Sequence, residues 1–134
     1  MALLTWDDSL SVKIPEVDEE HKVLVKLINE LHTAMKEGRG REGTEHILNE
    51  LVTYTQTHFT HEEAFLTRNN YPQLAPHKLM HQTFVEKVVA FQKEFTAGKL
   101  VLSIQLVQFL SDWIVEHVKK ADMQYGKMLA GKKY

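Results

Sequence analysis

Six residues between His77 and Phe95, namely His77, His81, Phe84, Val88, Phe91 and Phe95, follow one another at steps of four, three, four, three and four. Such steps keep all six on one face of an α-helix and fit no strand. The face is apolar except at its first two positions, both histidines. A helix with one apolar face must bury that face against other elements. The rest of the chain supplies them.

Three further stretches carry the same period. Helix A is expected from about 19 to 37, with Leu24, Ile28, Leu31 and Met35 as its stripe, Asp18 as N-cap and Gly38 as its stop. Stepping back three positions from Leu24 reaches His21, which should face inward. Helix B is expected from about 44 to 68, capped by Thr44, with the seam Leu51, Thr55, His58, Glu62 and Phe65. The polar segment GRGREG ahead of it reads as a surface loop. Helix C, which holds the opening seam, begins between Pro72 and Pro76 and stops at Gly98. Helix D begins around 101 to 103, with Ser103 as a cap, and its seam is Leu106, Leu110, Trp113 and His117.

Residues 1–17 lack a helical period, and Pro15 argues against a helix there, so they read as an N-terminal arm. Residues 18–129 read as the bundle and 130–134 as a frayed basic tail. Together these elements predict one all-α domain over 1–134, an up-down-up-down antiparallel four-helix bundle. At 134 residues the chain can bury a substantial core unaided. A bound metal would therefore serve function and not act as a staple.

Composition narrows the chemistry. No cysteine is present, which excludes disulfides, thiolate zinc sites, cysteine-ligated clusters and a cysteine nucleophile. The 16 basic and 18 acidic residues are dispersed, with a net charge of -2, so nothing suggests a nucleic-acid or acidic-membrane partner. No stretch is long and apolar enough for a membrane span, and the expectation is a cytoplasmic monomer. Eight histidines stand out, at 21, 32, 46, 58, 61, 77, 81 and 117. His58 and Glu62, like His77 and His81, are four apart, so each pair shares a helix face, about 40° apart around the axis. Any one of these histidines alone reads better as a hydrogen-bonded core or surface residue. Four seams that each offer an inward histidine read differently, because a shared metal satisfies buried imidazoles and carboxylates together.

Three histidines fall outside this pattern or leave it open. His32 lies beside the stripe of helix A and reads as a partly exposed histidine with no metal, and His46 lies in the first turn of helix B, outside the seam, and is given no role. His61 is three residues from His58, and periodicity does not exclude it as a ligand. Asp122 follows His117 by five residues, which leaves the two side chains about 140° apart on a regular helix. By spacing alone an ordinary surface acid is the better reading. The alternative, expected here, is a local widening to a π-turn, which recurs at functional sites.

The segments DEEHKVL, HFTHEE, YPQLAPHKLMH and FLSDWIVEHVKKAD, together with the early WDDSLSVKI, resemble the bacterial hemerythrins over nearly the whole chain. These are single-domain, non-haem di-iron proteins. The resemblance implies His77, His81 and His117 on one iron, His21 and His58 on the other, and Glu62 and Asp122 bridging both with an oxo or hydroxo group. It places the ligand at the histidine followed by phenylalanine, which leaves His61 outside the set. Filling two octahedral ions with these groups leaves one position, on the iron with two histidines, for dioxygen.

The resemblance also places Trp113 and Ile114 in the wall of the oxygen pocket. Lys13 stands where many relatives have glycine, Glu20 where many have glutamine, and Ile114 where leucine is usual. The implied function is reversible dioxygen binding for storage, transport or delivery, with an oxygen-consuming enzyme as recipient. Oxygen or redox sensing, and a peroxidase or oxidase activity at the same centre, are the competing readings. Ferritin-like sites use more carboxylates and fewer histidines. Five neutral imidazoles stabilise high-valent iron less well, which favours a carrier over an enzyme.

Overall fold

The structure, a computed structural model, describes residues 3–38, 40–98 and 104–134. It is all-helical, with no strand among the described residues. Four rods form the bundle: α1 (Pro15–Lys36), α2 (Gly40–Arg68), α3 (Leu74–Thr96), and a rod in which α4 (Ile104–His117), a π-turn (Val118–Asp122) and α5 (Met123–Leu129) run on without a break. A 3-10 turn, Asp8–Leu10, lies in the arm. No helix among the described residues is long and apolar enough to cross a membrane.

The first helix starts earlier than the sequence suggests. Pro15 is its first residue, inside the expected arm, because proline at that position gives up an N–H that has no helical partner anyway. Asp18 is accordingly not the cap. Its carboxylate instead accepts hydrogen bonds from the Val12 N–H at 2.9 Å and the Ser11 hydroxyl at 2.6 Å, which ties the arm to α1. Between them Lys13 sits in the left-handed region, with φ of 64°, where a side chain costs about 1–2 kcal/mol. Gly126 completes the attachment: a Cβ built there would stand 2.5 Å from the Val12 carbonyl oxygen, so only glycine lets the arm lie against α5.

The second helix also starts earlier, at Gly40, so most of the expected GRGREG loop is helical and Thr44 lies within the helix, buried, and not at its cap. No apolar residue marks this extra turn, and periodicity is blind to it. The start of α3 and the stops near Gly38 and Gly98 follow expectation, and both glycines have positive φ. The expected start of helix D and the Ser103 cap lie outside the described residues. On α4 the buried positions are Val107, Leu110, Ser111, Ile114 and His117, whereas Leu106 and Trp113 are half-buried. The seam is thus turned by one residue from the expected one.

The tail is not frayed. Gly131, with φ of 86°, and a Lys132 N–H to Leu129 carbonyl bond of 3.0 Å turn the chain back. Tyr134 then packs its ring 5.2 Å from that of Phe65. Leu24, Ile28, Leu31, Leu48, Phe65 and Leu66 are among the fully buried residues of one apolar core.

Candidate metal centre

The helical seams bring seven ligand-type side chains to one place: His21 from α1, His58 and Glu62 from α2, His77 and His81 from α3, His117 from α4 and Asp122 from the π-turn. All seven are buried, and Glu62 is fully so. The expected widening between His117 and Asp122 is present. One residue more per turn brings the fifth residue back to the face of the first, and the His117 Nε2 and Asp122 Oδ1 atoms lie 3.1 Å apart.

The seven divide into two groups, each able to hold a metal ion. One contains His77, His81 and His117, the other His21 and His58, and both contain Glu62 and Asp122. The carboxylate oxygens follow this division. Glu62 Oε1 faces His77 Nε2 at 2.6 Å and His81 Nε2 at 3.1 Å, whereas Oε2 faces His58 Nε2 at 3.1 Å and His21 Nε2 at 3.8 Å. Asp122 Oδ1 faces His77 and His117, each at 3.1 Å, and Oδ2 faces His21 at 3.2 Å. Five Nε2 atoms therefore point inward at two carboxylates, each of which turns one oxygen to each group.

Hydrogen bonding does not use up this set. His21 Nε2, His58 Nε2 and Asp122 Oδ1 are buried without an aligned hydrogen-bond partner, despite neighbours at 3.1–3.2 Å. His81 Nε2 and His117 Nε2 meet at 3.0 Å, where only one can carry the proton. Buried polar atoms left unmatched cost about 1–3 kcal/mol each. Cations between the groups would satisfy them, and a set of imidazoles and carboxylates suits iron. The residues fit a di-metal centre.

Without metal the cluster holds protons. Burial pulls the His58 imidazolium down, but hydrogen bonds to Glu20 and Glu62 outweigh it and raise the group to about 10. His77 is likewise pulled down by burial and raised, to about 9, by Asp122 and Glu62. His21 is raised by the same two carboxylates against burial. Burial pushes Glu62 up, and four histidines hold it well below the usual carboxylate range. Asp122 is pushed up by burial and by Glu62, yet held low by His117 and His21.

Around this cluster stand groups that periodicity missed. The Tyr125 hydroxyl donates to Glu62 Oε2 at 3.0 Å, and burial with two nearby carboxylates keeps its phenol protonated. Its spacing of three from Asp122 was the signal available. Glu20 Oε1 accepts a hydrogen bond from His58 Nδ1 at 2.8 Å, and Glu63 Oε2 accepts one from His81 Nδ1 at 2.9 Å. Such partners fix which nitrogen points inward. His61 is exposed, bonded to Glu20 at 2.7 Å and absent from both groups; His46 is exposed and paired with Glu50 at 3.1 Å; His32 is half-buried. Phe59 stacks on His81 at 3.6 Å, and Trp113 stacks on His117 at 4.5 Å and on Phe84 at 3.8 Å. Ile114 is buried.

The family description Hemerythrin HHE cation binding domain matches residues 12–129. The chain belongs to the hemerythrin family. It is 34% identical over 125 residues to the bacteriohemerythrin of Stenotrophomonas maltophilia, covering 93% of this chain and 80% of that one. To the bacteriohemerythrin of Methylococcus capsulatus it is 33% identical, with 97% and 99% covered, and to myohemerythrin-1 of Phascolopsis gouldii 31%, with 92% of each covered. A wild-type hemerythrin crystal structure superposes with a TM-score of 0.92 at 30% identity, covering 97% of this chain and all of that one. The hemerythrin family is known for oxygen binding at a di-iron centre, and this member has the histidine and carboxylate cluster able to bind metal.

Proposed function

We propose that His77, His81 and His117 hold one iron, His21 and His58 hold the second, and Glu62 and Asp122 bridge the two, in a protein that binds dioxygen reversibly for storage, transport or delivery. The observation that carries this reading is the division of the carboxylates, with one oxygen of each turned to the three-histidine group and the other to the two-histidine group. When bound, a di-iron pair supplies the electrons that dioxygen takes up and returns.

The chain's own residues do the rest. Glu20 and Glu63 hold His58 and His81 with Nδ1 protonated and Nε2 free to donate. Tyr125 anchors one oxygen of Glu62, which keeps that carboxylate from rotating out of the bridging orientation. Phe59 and Trp113 cover two of the imidazoles with ring faces, and Trp113 and Ile114 would form an apolar wall that limits the entry of water to the centre. An oxygen-consuming enzyme is the recipient that delivery requires.

The test is to load the protein anaerobically with ferrous iron, admit oxygen, remove it, and record the visible spectrum at each stage with the iron content. A band that appears with oxygen and vanishes on its removal, with two irons per chain, is expected. Sustained consumption of a reductant would replace the carrier by an enzyme, and failure to take up iron would overturn the metal centre itself.

A further inference from the structure

The geometry points to Tyr134 as a positioning residue that holds Glu20, and through it His58, in place, so that the segment 130–134 acts as a clasp on the two-histidine end of the centre. This inference rests on His58 being a ligand, as proposed above. Three observations carry it.

First, Glu20 is bonded from three sides. Its Oε1 accepts from His58 Nδ1 at 2.8 Å and from the Tyr134 hydroxyl at 2.8 Å, and its Oε2 accepts from His61 Nδ1 at 2.7 Å. Glu63, which backs His81 at the other end, shows one bond from its carboxylate. Second, Tyr134 is brought there by built structure. The Gly131 turn reverses the chain, and the ring rests on Phe65, a fully buried residue that also touches Tyr125. Third, Glu20 needs a restraint. Its side chain is 18% exposed, and His61, its second partner, is 51% exposed. A glutamate on that boundary can turn into water unless something on the inner side holds it.

The hydroxyl of Tyr134 supplies this hold, since it donates to the same oxygen that accepts from His58 Nδ1. Losing it frees Glu20 to swing outward, and His58 then loses the partner that fixes its ring and its protonated nitrogen. The ring packing of Tyr134 is a separate contribution, which Tyr134→Phe leaves intact. A purely structural tail would tolerate that change, and a clasp would not.

The experiment follows the His58 Nδ1 proton by NMR on protein with nitrogen-15 labelled histidine, metal-free and loaded with zinc(II), in parent, Tyr134→Phe and Glu20→Ala. Zinc is diamagnetic and reports binding without redox chemistry. In Tyr134→Phe the exchange of that proton with water should speed up about tenfold, with the His81 Nδ1 proton unchanged and the melting temperature lowered by no more than a few degrees. Glu20→Ala should abolish its protection. An unchanged exchange rate in Tyr134→Phe would overturn the clasp, as would equal acceleration at His81, which would mean general loosening. If the parent instead fails to bind two zinc ions, it is the metal-centre reading that falls.

Discussion

α3 and the fourth rod each bring two ligand-type side chains to the same cluster by opposite means. His77 and His81 are four apart on a regular helix, so the ordinary period puts them on one face. His117 and Asp122 are five apart and share a face only because the backbone widens into a π-turn over Val118–Asp122. The regular pair needs nothing beyond a buried seam. The irregular pair uses a backbone form that is rare in itself and persists where surroundings hold it. Here Val118 and Ala121 are buried on the core side, and Tyr125 and Gly126 lock the next turn against Glu62 and the arm. A ligand-type side chain can thus be placed by period or by packing, and the second route leaves no periodic trace.

The largest effect should come from breaking the regular pair. One alanine inserted between Leu79 and Met80 would place His77 and His81 five apart with nothing to stabilise a second π-turn. Metal analysis should then find fewer than two ions per chain; full loading would mean that any of these helices absorbs an extra residue, and the contrast would collapse.

A pH titration sharpens the comparison from the side of charge. In the metal-free protein α3 contributes a raised histidine, His77, and the π-turn a lowered carboxylate, Asp122. Stability from His77 and His58 is complete below their unfolded value near 6.5 and is lost as pH rises through about 9 and about 10. Stability from Glu62 and Asp122 is present above about 4 and lost as pH falls below it. The melting temperature without metal should therefore peak between about pH 5 and 6.5 and decline on both sides. Metal requires the same histidines neutral, so loading should release protons and strengthen with rising pH. A flat melting profile from pH 6 to 10 without metal would contradict the assignment.

A smaller effect is expected from deleting Lys120, an exposed residue within the π-turn. The rod should close into a regular α-helix, with residues 123–129 keeping their packing. The metal-free protein should gain on the order of 1 kcal/mol in urea denaturation, and the loaded protein should keep its metal content, because His117 and Asp122 would then stand four apart and share a face of the regular helix. Loss of metal would show that the π-turn itself, and not the shared face, sets the placing of Asp122.

Lys13 offers the mildest test, as a backbone departure with no ligand attached. Its left-handed conformation serves only the turn of the arm, so Lys13→Gly should stabilise the chain by about 0.5–1 kcal/mol without changing metal content. No gain in the denaturation midpoint would mean that the turn is not strained.

Much of this molecule was legible in its seams. Leu51, Thr55, His58, Glu62 and Phe65 are all buried, as their period required, and so is every member of the His77–Phe95 seam except Phe91, which is half-buried. The metal-ready pairs on α2 and α3 followed from the same geometry, because a helix converts steps of three and four into a common face. Asp122 did not follow from spacing; the resemblance to hemerythrins supplied its place.

What the sequence determined by itself was the four-rod, all-helical architecture and the inward direction of five histidines and Glu62, since these depend on local helical repeat and burial of an apolar stripe. Tertiary structure alone decided the rest. Asp18 could tie the arm back instead of capping α1, the π-turn could persist because its neighbours pack it, and Glu20 could find His58, His61 and Tyr134 across sequence separations of 38, 41 and 114. Contacts of that range carry no period, because they are made by rods meeting and not by any one rod's repeat.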